Sequence, residues 1–273
     1  EALKIFQKQY KLHGGVGFLR EIAICYEKLG NHSKANELNL KVIKDQSQHH
    51  PDAFFYVALF AYNNNRFDDA LKYAEKLIEL EQVFDYPGYT SKSRNAVLLS
   101  QILESLNNVE RALIVVNTAL LNAPQHSMLL VQKSAFLADL GRFKEASEIL
   151  DLLQEIEKKK SSRLIPPTVL AGLKATILLH SEDYRGAIRI ASKVLKIQPD
   201  TIGALDVIGR AYMELKQYDK SLKAFQKMQK LRPDEVSLLT LSTLYLGMGN
   251  VKNAISSLEK WLKQNPSLDG GNI

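Results

Sequence analysis

The feature that most constrains this chain is a small residue, usually followed by an aliphatic one, that returns at an almost fixed interval. It is found at Ala35, Ala70-Leu71, Ala112-Leu113, Ala146, Ala187-Ile188, Ser221-Leu222 and Ala254-Ile255, with spacings of 35, 42, 34, 41, 34 and 33 residues. A period of this size marks stacked supersecondary units, each burying its apolar face only against its neighbours. The repeat overrides the one or two globular domains that 273 residues would otherwise suggest. It predicts an all-α solenoid of tandem antiparallel helix pairs.

The sixth unit is the clearest. Leu205, Ile208, Gly209 and Tyr212 fall at i, i+3, i+4 and i+7 and so share one helix face. Gly209 is small where two helices must approach. Lys216-Gln217-Tyr218-Asp219 makes the turn, and a second helix to Leu231 carries Leu222, Phe225 and Met228 inward. Pro233 ends it, because proline cannot continue a helix and restricts the residue before it.

This pattern resembles the tetratricopeptide repeat, and the resemblance covers essentially the whole chain. The family's small first-helix position is filled by Ala23, Ala58, Ser100, Ser134, Ala175, Gly209 and Ser242. Its tyrosine position holds Tyr26, Ala61, Leu103, Leu137, Leu178, Tyr212 and Tyr245, and its closing proline is present at Pro124, Pro199, Pro233 and Pro266. The closing proline is missing or displaced in the first, second and fourth units. The resemblance implies a right-handed superhelix. Its units are 16–50, 51–92, 93–126, 127–167, 168–201, 202–234 and 235–268, preceded by the second helix of a truncated unit at 1–13. Because the chain opens inside a helix pattern and neither end shows a polar capping face, we expect a fragment of a longer array.

Two joints exceed the period. One is residues 82–91, carrying Phe84, Tyr86 and Tyr89; the other runs from Glu155 to Pro167. Each reads as an extended second helix followed by a flexible turn. The aromatic trio is also a candidate contact surface, since exposed aromatics are favoured there.

Catalytic patterns are not found: no nucleophile elbow, no phosphate-binding glycine loop, no metal-spaced Cys/His set. The expectation is a non-enzyme without a cofactor. His49-His50 reads as a loop pair before Pro51, and Cys25 as a small buried hydrophobe. The net charge of +6 is modest and its signs are interspersed, which argues against nucleic acid as a partner. Lys220, Lys223, Lys227 and Lys230 read as the solvent face opposite Leu222, Phe225 and Met228. Trp261 stands where the family prefers a small residue; repacking near an array end and contact with a following unit or partner both fit. No apolar run reaches a membrane span. The compartment is open: cytoplasmic by default, periplasmic as the alternative.

In the resembled family, the concave face is lined by the first helix of each unit. The matching residues include Arg20, Ile24 and Glu27; Phe55, Leu59 and Tyr62; Arg94, Val97, Gln101 and Glu104; Met128, Val131 and Ala135; Val169, Gly172, Thr176 and Leu179; Asp206, Arg210 and Met213; and Val236, Leu239, Thr243 and Leu246. Phe55, Leu59 and Tyr62 are the leading anchor candidates, because aromatic anchors dominate interface energetics. Some family members clamp a chaperone's terminal carboxylate with Lys, Asn and Arg at set first-helix positions. Here Ile24 stands at the asparagine position, so that activity is not expected.

The leading functional reading is a non-catalytic scaffold that binds a peptide or helical segment of a protein partner in the concave groove. Two alternatives stay open. One is the periplasmic repeat region of a bacterial polysaccharide-export or secretion assembly; the other is the regulatory arm of an enzyme whose catalytic domain lies outside these residues.

Overall fold

A computed structural model describes residues 1–45, 50–83, 92–160, 163–232 and 235–264. The aromatic trio Phe84, Tyr86 and Tyr89, together with His49, Pro233 and Pro266, lies outside the described residues. The chain divides into two units, Glu1–Leu140 and Gly141–Ile273.

The first unit contains α1 (Ala2–His13), α2 (Val16–Lys28), α3 (His32–Lys44), α4 (Pro51–Asn63), α5 (Phe67–Val83), α6 (Lys92–Ser105), α7 (Val109–Asn122) and α8 (Ser127–Asp139). The second contains α9 (Phe143–Lys159), α10 (Pro167–His180), α11 (Tyr184–Ile197), α12 (Ile202–Glu214), α13 (Tyr218–Leu231), α14 (Glu235–Gly247) and α15 (Val251–Gln264). Within each unit, successive helices pack in sequence order, and first helices also touch: α6 meets α4 and α8, and α10 meets α12. Among the described residues the secondary structure is α-helical, in keeping with the all-α expectation.

The turns show why the pairs form. The second residue beyond each first helix has a positive φ: Gly30, Asn65, Asn107, Gly141, Glu182, Lys216 and Gly249. A left-handed residue there lets the chain fold back and satisfy carbonyls that the helix end leaves open. The expected backbone bonds are made: Asn31 N–H to Tyr26 C=O at 2.9 Å, Arg66 to Ala61 at 2.9 Å, Asn108 to Leu103 at 2.8 Å, Gln217 to Tyr212 at 2.8 Å and Asn250 to Tyr245 at 2.8 Å. The second helices are then capped from the same turns. Asn31, Asn108, Asp183 and Asn250 side chains accept from the backbone N–H three residues on.

The periodic small residues occupy the tight contacts. Ala23, Ala58, Ser100, Ser134, Ala175 and Ser242 of the first helices are buried, as are Ala35, Ala70, Ala112, Ala146, Ala187, Ser221 and Ala254 of the second. Helix axes 8–10 Å apart leave no room for longer side chains at the crossing. The tightest case is Gly209 of α12. A β-carbon there would lie 2.3 Å from the ring of Phe225 on α13, and the Gly209 carbonyl accepts from Ser221 Oγ at 2.7 Å. Cys25 is half-buried rather than fully buried, because its helix face is only partly covered.

The two helices preceding the long joints, α5 and α9, each extend to 17 residues. At the second joint a purely flexible turn is not what the described residues show. Glu157, almost fully buried, accepts through Oε2 from the N–H groups of Leu164 at 2.7 Å and Ile165 at 3.0 Å, while Oε1 pairs with Lys160 at 2.7 Å. A buried carboxylate satisfied by two amides and an ammonium orders the chain that follows it. Glu157→Ala strands both amides and is expected to cost roughly 2–4 kcal/mol locally. Hydrogen exchange at Leu164 and Ile165 should then accelerate well beyond that at Val207; unchanged exchange would show that other contacts hold the segment.

Candidate functional site

In the first unit, the expected groove residues separate into two groups. Arg20 and Phe55 belong to the interior and do not line an open wall, a correction to the sequence expectation. Arg20 pairs with the buried Asp52 of α4 and donates from Nη1 to Asn39 Oδ1 of α3 at 3.2 Å. Its guanidinium also lies 5.0 Å from the Tyr56 ring centroid. Burial of a guanidinium demands such a carboxylate, and Asp52, one residue after a helix-starting proline, supplies it. Phe55 is covered by the Arg94 guanidinium, 3.9 Å above its ring, and packs edge-on to Tyr56 at 5.4 Å.

The other residues of this group keep partial exposure. Ile24, Leu59, Tyr62, Val97, Gln101 and Val131 are half-buried and Arg94 is exposed. Tyr62 packs on Phe67 across its own turn, with ring centroids 5.8 Å apart. Between α6 and α8, Gln132 donates to the Val97 carbonyl at 3.2 Å and accepts from Ser100 Oγ at 3.1 Å. This buried polar bridge fixes the spacing of two first helices. Near their C-terminal ends sit Glu104 and Asp139. Desolvation, then the Asp139 charge, raises the Glu104 carboxyl above its ordinary range.

In the second unit, residues of the first helices and of the turn into α11 line an open cavity of about 470 Å³. Leu179 and His180 come from the end of α10, Glu182 and Tyr184 from the turn into α11, Arg210, Met213 and Glu214 from α12, and Thr240 and Thr243 from α14. Sequence reasoning placed Leu179, Arg210, Met213 and Thr243 on this face, and the fold brings those four to one cavity. It did not identify His180, Glu182, Tyr184, Glu214 or Thr240; the face was matched to the resembled family's first-helix positions, and two of these five lie outside the first helices. Glu182 belongs to the turn and Tyr184 to the following helix. The signal that would have found Glu182 is its place at the left-handed turn position, where glycine or asparagine stands in five of the seven turns.

The cavity's charges are unevenly satisfied. Arg210 Nε meets Asp206 on its own helix at 2.9–3.0 Å. Glu182 and Glu214 make no ion pair among the described residues. Desolvation, followed by the Glu182 and Glu214 charges, raises the Tyr184 phenol above its ordinary value.

The opposite, second-helix surface is solvated. Lys220, Lys223, Lys227 and Lys230 are exposed over buried Phe225 and Met228 and half-buried Leu222. Lys227 is spent on the Pro199 carbonyl at 2.6 Å and Asp200 at 3.3 Å. Trp261 is half-buried. None of the described helices is long and apolar enough to cross a membrane.

Comparison with known proteins agrees with this architecture. The tetratricopeptide repeat family model matches residues 202–235 and 237–268. The crystal structure of a tetratricopeptide repeat protein from Parabacteroides merdae shares 13% identity and superposes with a TM-score of 0.76 over 91% of this chain and 92% of that one. Residues 202–268 thus carry tetratricopeptide repeats, and the chain shares its fold with a tetratricopeptide-repeat protein; such repeats imply a protein–protein interaction scaffold. Among curated relatives, DnaJ protein P58IPK homolog B of Oryza sativa subsp. japonica is 30% identical over 135 residues, 49% of this chain and 27% of that protein. DnaJ homolog subfamily C member 7 homolog of Schizosaccharomyces pombe is 29% identical over 110 residues, 40% of this chain and 23% of that protein. The chain thus spans about a quarter of the length of each.

Proposed function

We propose that this chain is a non-catalytic scaffold that holds a peptide or helical segment of a protein partner against its first helices. The cavity built by α10, α12 and α14 is the recognition point. The observation that carries this reading is the convergence of Leu179, Arg210, Met213 and Thr243 on one concavity of about 470 Å³. Binding sites are concave and combine apolar walls with a few placed polar groups. Leu179 and Met213 supply the former; Arg210 and Thr243 supply the latter. In the first unit, half-buried Leu59 and Tyr62 offer secondary anchors.

The similarity to DnaJ-named proteins fits a scaffold working within a longer chain, and the protein-binding reading does not depend on it. Neither polysaccharide export nor an enzyme's regulatory arm is favoured by a particular feature of the fold, and both are set aside.

Thr243 is exposed on α14, so Thr243→Arg fills the cavity without disturbing the packed side of that helix. Ile197→Arg, at a 70% exposed position on α11, is the matched control. In crosslinking capture from a native lysate, the parent and Ile197→Arg should retain the same protein, and Thr243→Arg should lose it at least tenfold. Equal capture by Thr243→Arg would remove the cavity from the proposal.

A further inference from the structure

We infer that the cavity on α10, α12 and α14 receives a lysine or arginine side chain from the bound segment, which makes the partner a basic peptide. This deepens the scaffold reading and rests on it. The argument combines the shape of the cavity with the state of its charges.

A long cationic side chain has an apolar stem and a charged tip, and a fitting site must serve both. Leu179, Met213 and the Tyr184 ring give the cavity apolar and aromatic walls. Glu182 and Glu214 supply carboxylates at the same place. The cavity's arginine is engaged with a different carboxylate: Arg210 Nε meets Asp206 on its own helix. The lining therefore presents two carboxylates without an ion pair among the described residues, against the imidazole of His180 and one arginine held through Nε by Asp206, and the complementary ligand is positive. An aromatic residue on the same lining, Tyr184, offers cation–π attraction in addition to charge-assisted hydrogen bonds from the carboxylates. A volume of about 470 Å³ holds one side chain with its flanking backbone, not a folded domain.

An acidic or C-terminal carboxylate ligand meets the opposite situation. It would face Glu182 and Glu214, while Asp206 already holds the Nε edge of Arg210. Like-charge juxtaposition of this kind discriminates against the wrong partner.

The test is selection from a phage-displayed library of random dodecapeptides on the full chain, repeated on the Glu182→Gln/Glu214→Gln variant. Both glutamates are exposed, so the variant should keep the parent's helical circular dichroism and melting profile. Peptides enriched on the parent should share a lysine or arginine. Their affinity, by fluorescence anisotropy, should fall at least tenfold on the double variant and fall with added salt, since each charge-assisted hydrogen bond is worth about tenfold or more. Enriched peptides without a basic residue, or ones held equally by the double variant, would overturn the basic-ligand inference while leaving peptide binding intact. Should no peptide be enriched on the parent, the inference and the peptide-binding reading would fall together.

Discussion

Replacing Asp52 by alanine should destabilise the first unit by about 3–5 kcal/mol, the range expected when a buried charge loses its partner. Arg20 and Asp52 are both nearly inaccessible, with side-chain exposures of 5% and 7%. Without Asp52, the guanidinium keeps only the Asn39 side-chain carbonyl at 3.2 Å and the Tyr56 ring at 5.0 Å. Neither compensates a full charge in a setting where water is excluded. The pair links α2 to α4, and the Asn39 bond adds α3, so its loss loosens three helices at once. Thermal unfolding followed by circular dichroism should show an early transition absent from the parent. Replacing both partners, Arg20→Met with Asp52→Leu, should recover most of the loss, because a buried pair exchanged for apolar groups is often neutral or stabilising. A single Asp52→Ala variant that melts with the parent would mean that Arg20 finds solvent instead.

The second large effect is expected at Gly209. Alanine has the higher helix propensity, by roughly 1 kcal/mol, so propensity alone predicts a gain. Packing opposes it. The added carbon would lie 2.3, 2.6 and 2.7 Å from three atoms of the Phe225 ring, and that ring is fully buried among Leu205, Met228, Leu241 and Leu244. Phe225 has nowhere to swing, and overpacking of this kind costs about 1–3 kcal/mol. Steric conflict therefore wins, and Gly209→Ala should lower stability. Shortening the ring relieves the clash. In a cycle with Phe225→Leu, the double variant should be more stable than the sum of the single effects by about 1 kcal/mol or more. An additive cycle in urea unfolding would show that α12 and α13 separate to admit the methyl group.

The same two positions show what could be read before the fold was known. Gly209 was legible because a small residue at a fixed place in a repeat has a steric cause, and the buried alanines and serines at the equivalent places follow the same cause. Matching to the resembled family also places Leu179, Arg210, Met213 and Thr243 on one face, where the cavity lies. It fails where the outcome depends on a pairing between repeats. Nothing local to Arg20 reveals that Asp52, thirty-two residues on, will draw it inside. Phe55 looks like an anchor in sequence because aromatics favour interfaces, yet Arg94 from the next first helix closes over it. Glu157 is equally silent. In sequence it is one acid in a charged run, and only the fold shows it turned inward to hold the amides of Leu164 and Ile165. Helix faces follow from the spacing of side chains along one element, whereas charge satisfaction requires knowing which elements meet.

The central claim is that the first-helix cavity of the second unit contacts the partner. Site-specific photocrosslinking tests it most directly, with p-benzoylphenylalanine placed at Met213 in one variant and at Ile197 in the other. The account predicts a discrete crosslinked partner from position 213 and none from position 197. A partner crosslinked from 197 and absent from 213 would contradict it and move recognition to the second-helix surface.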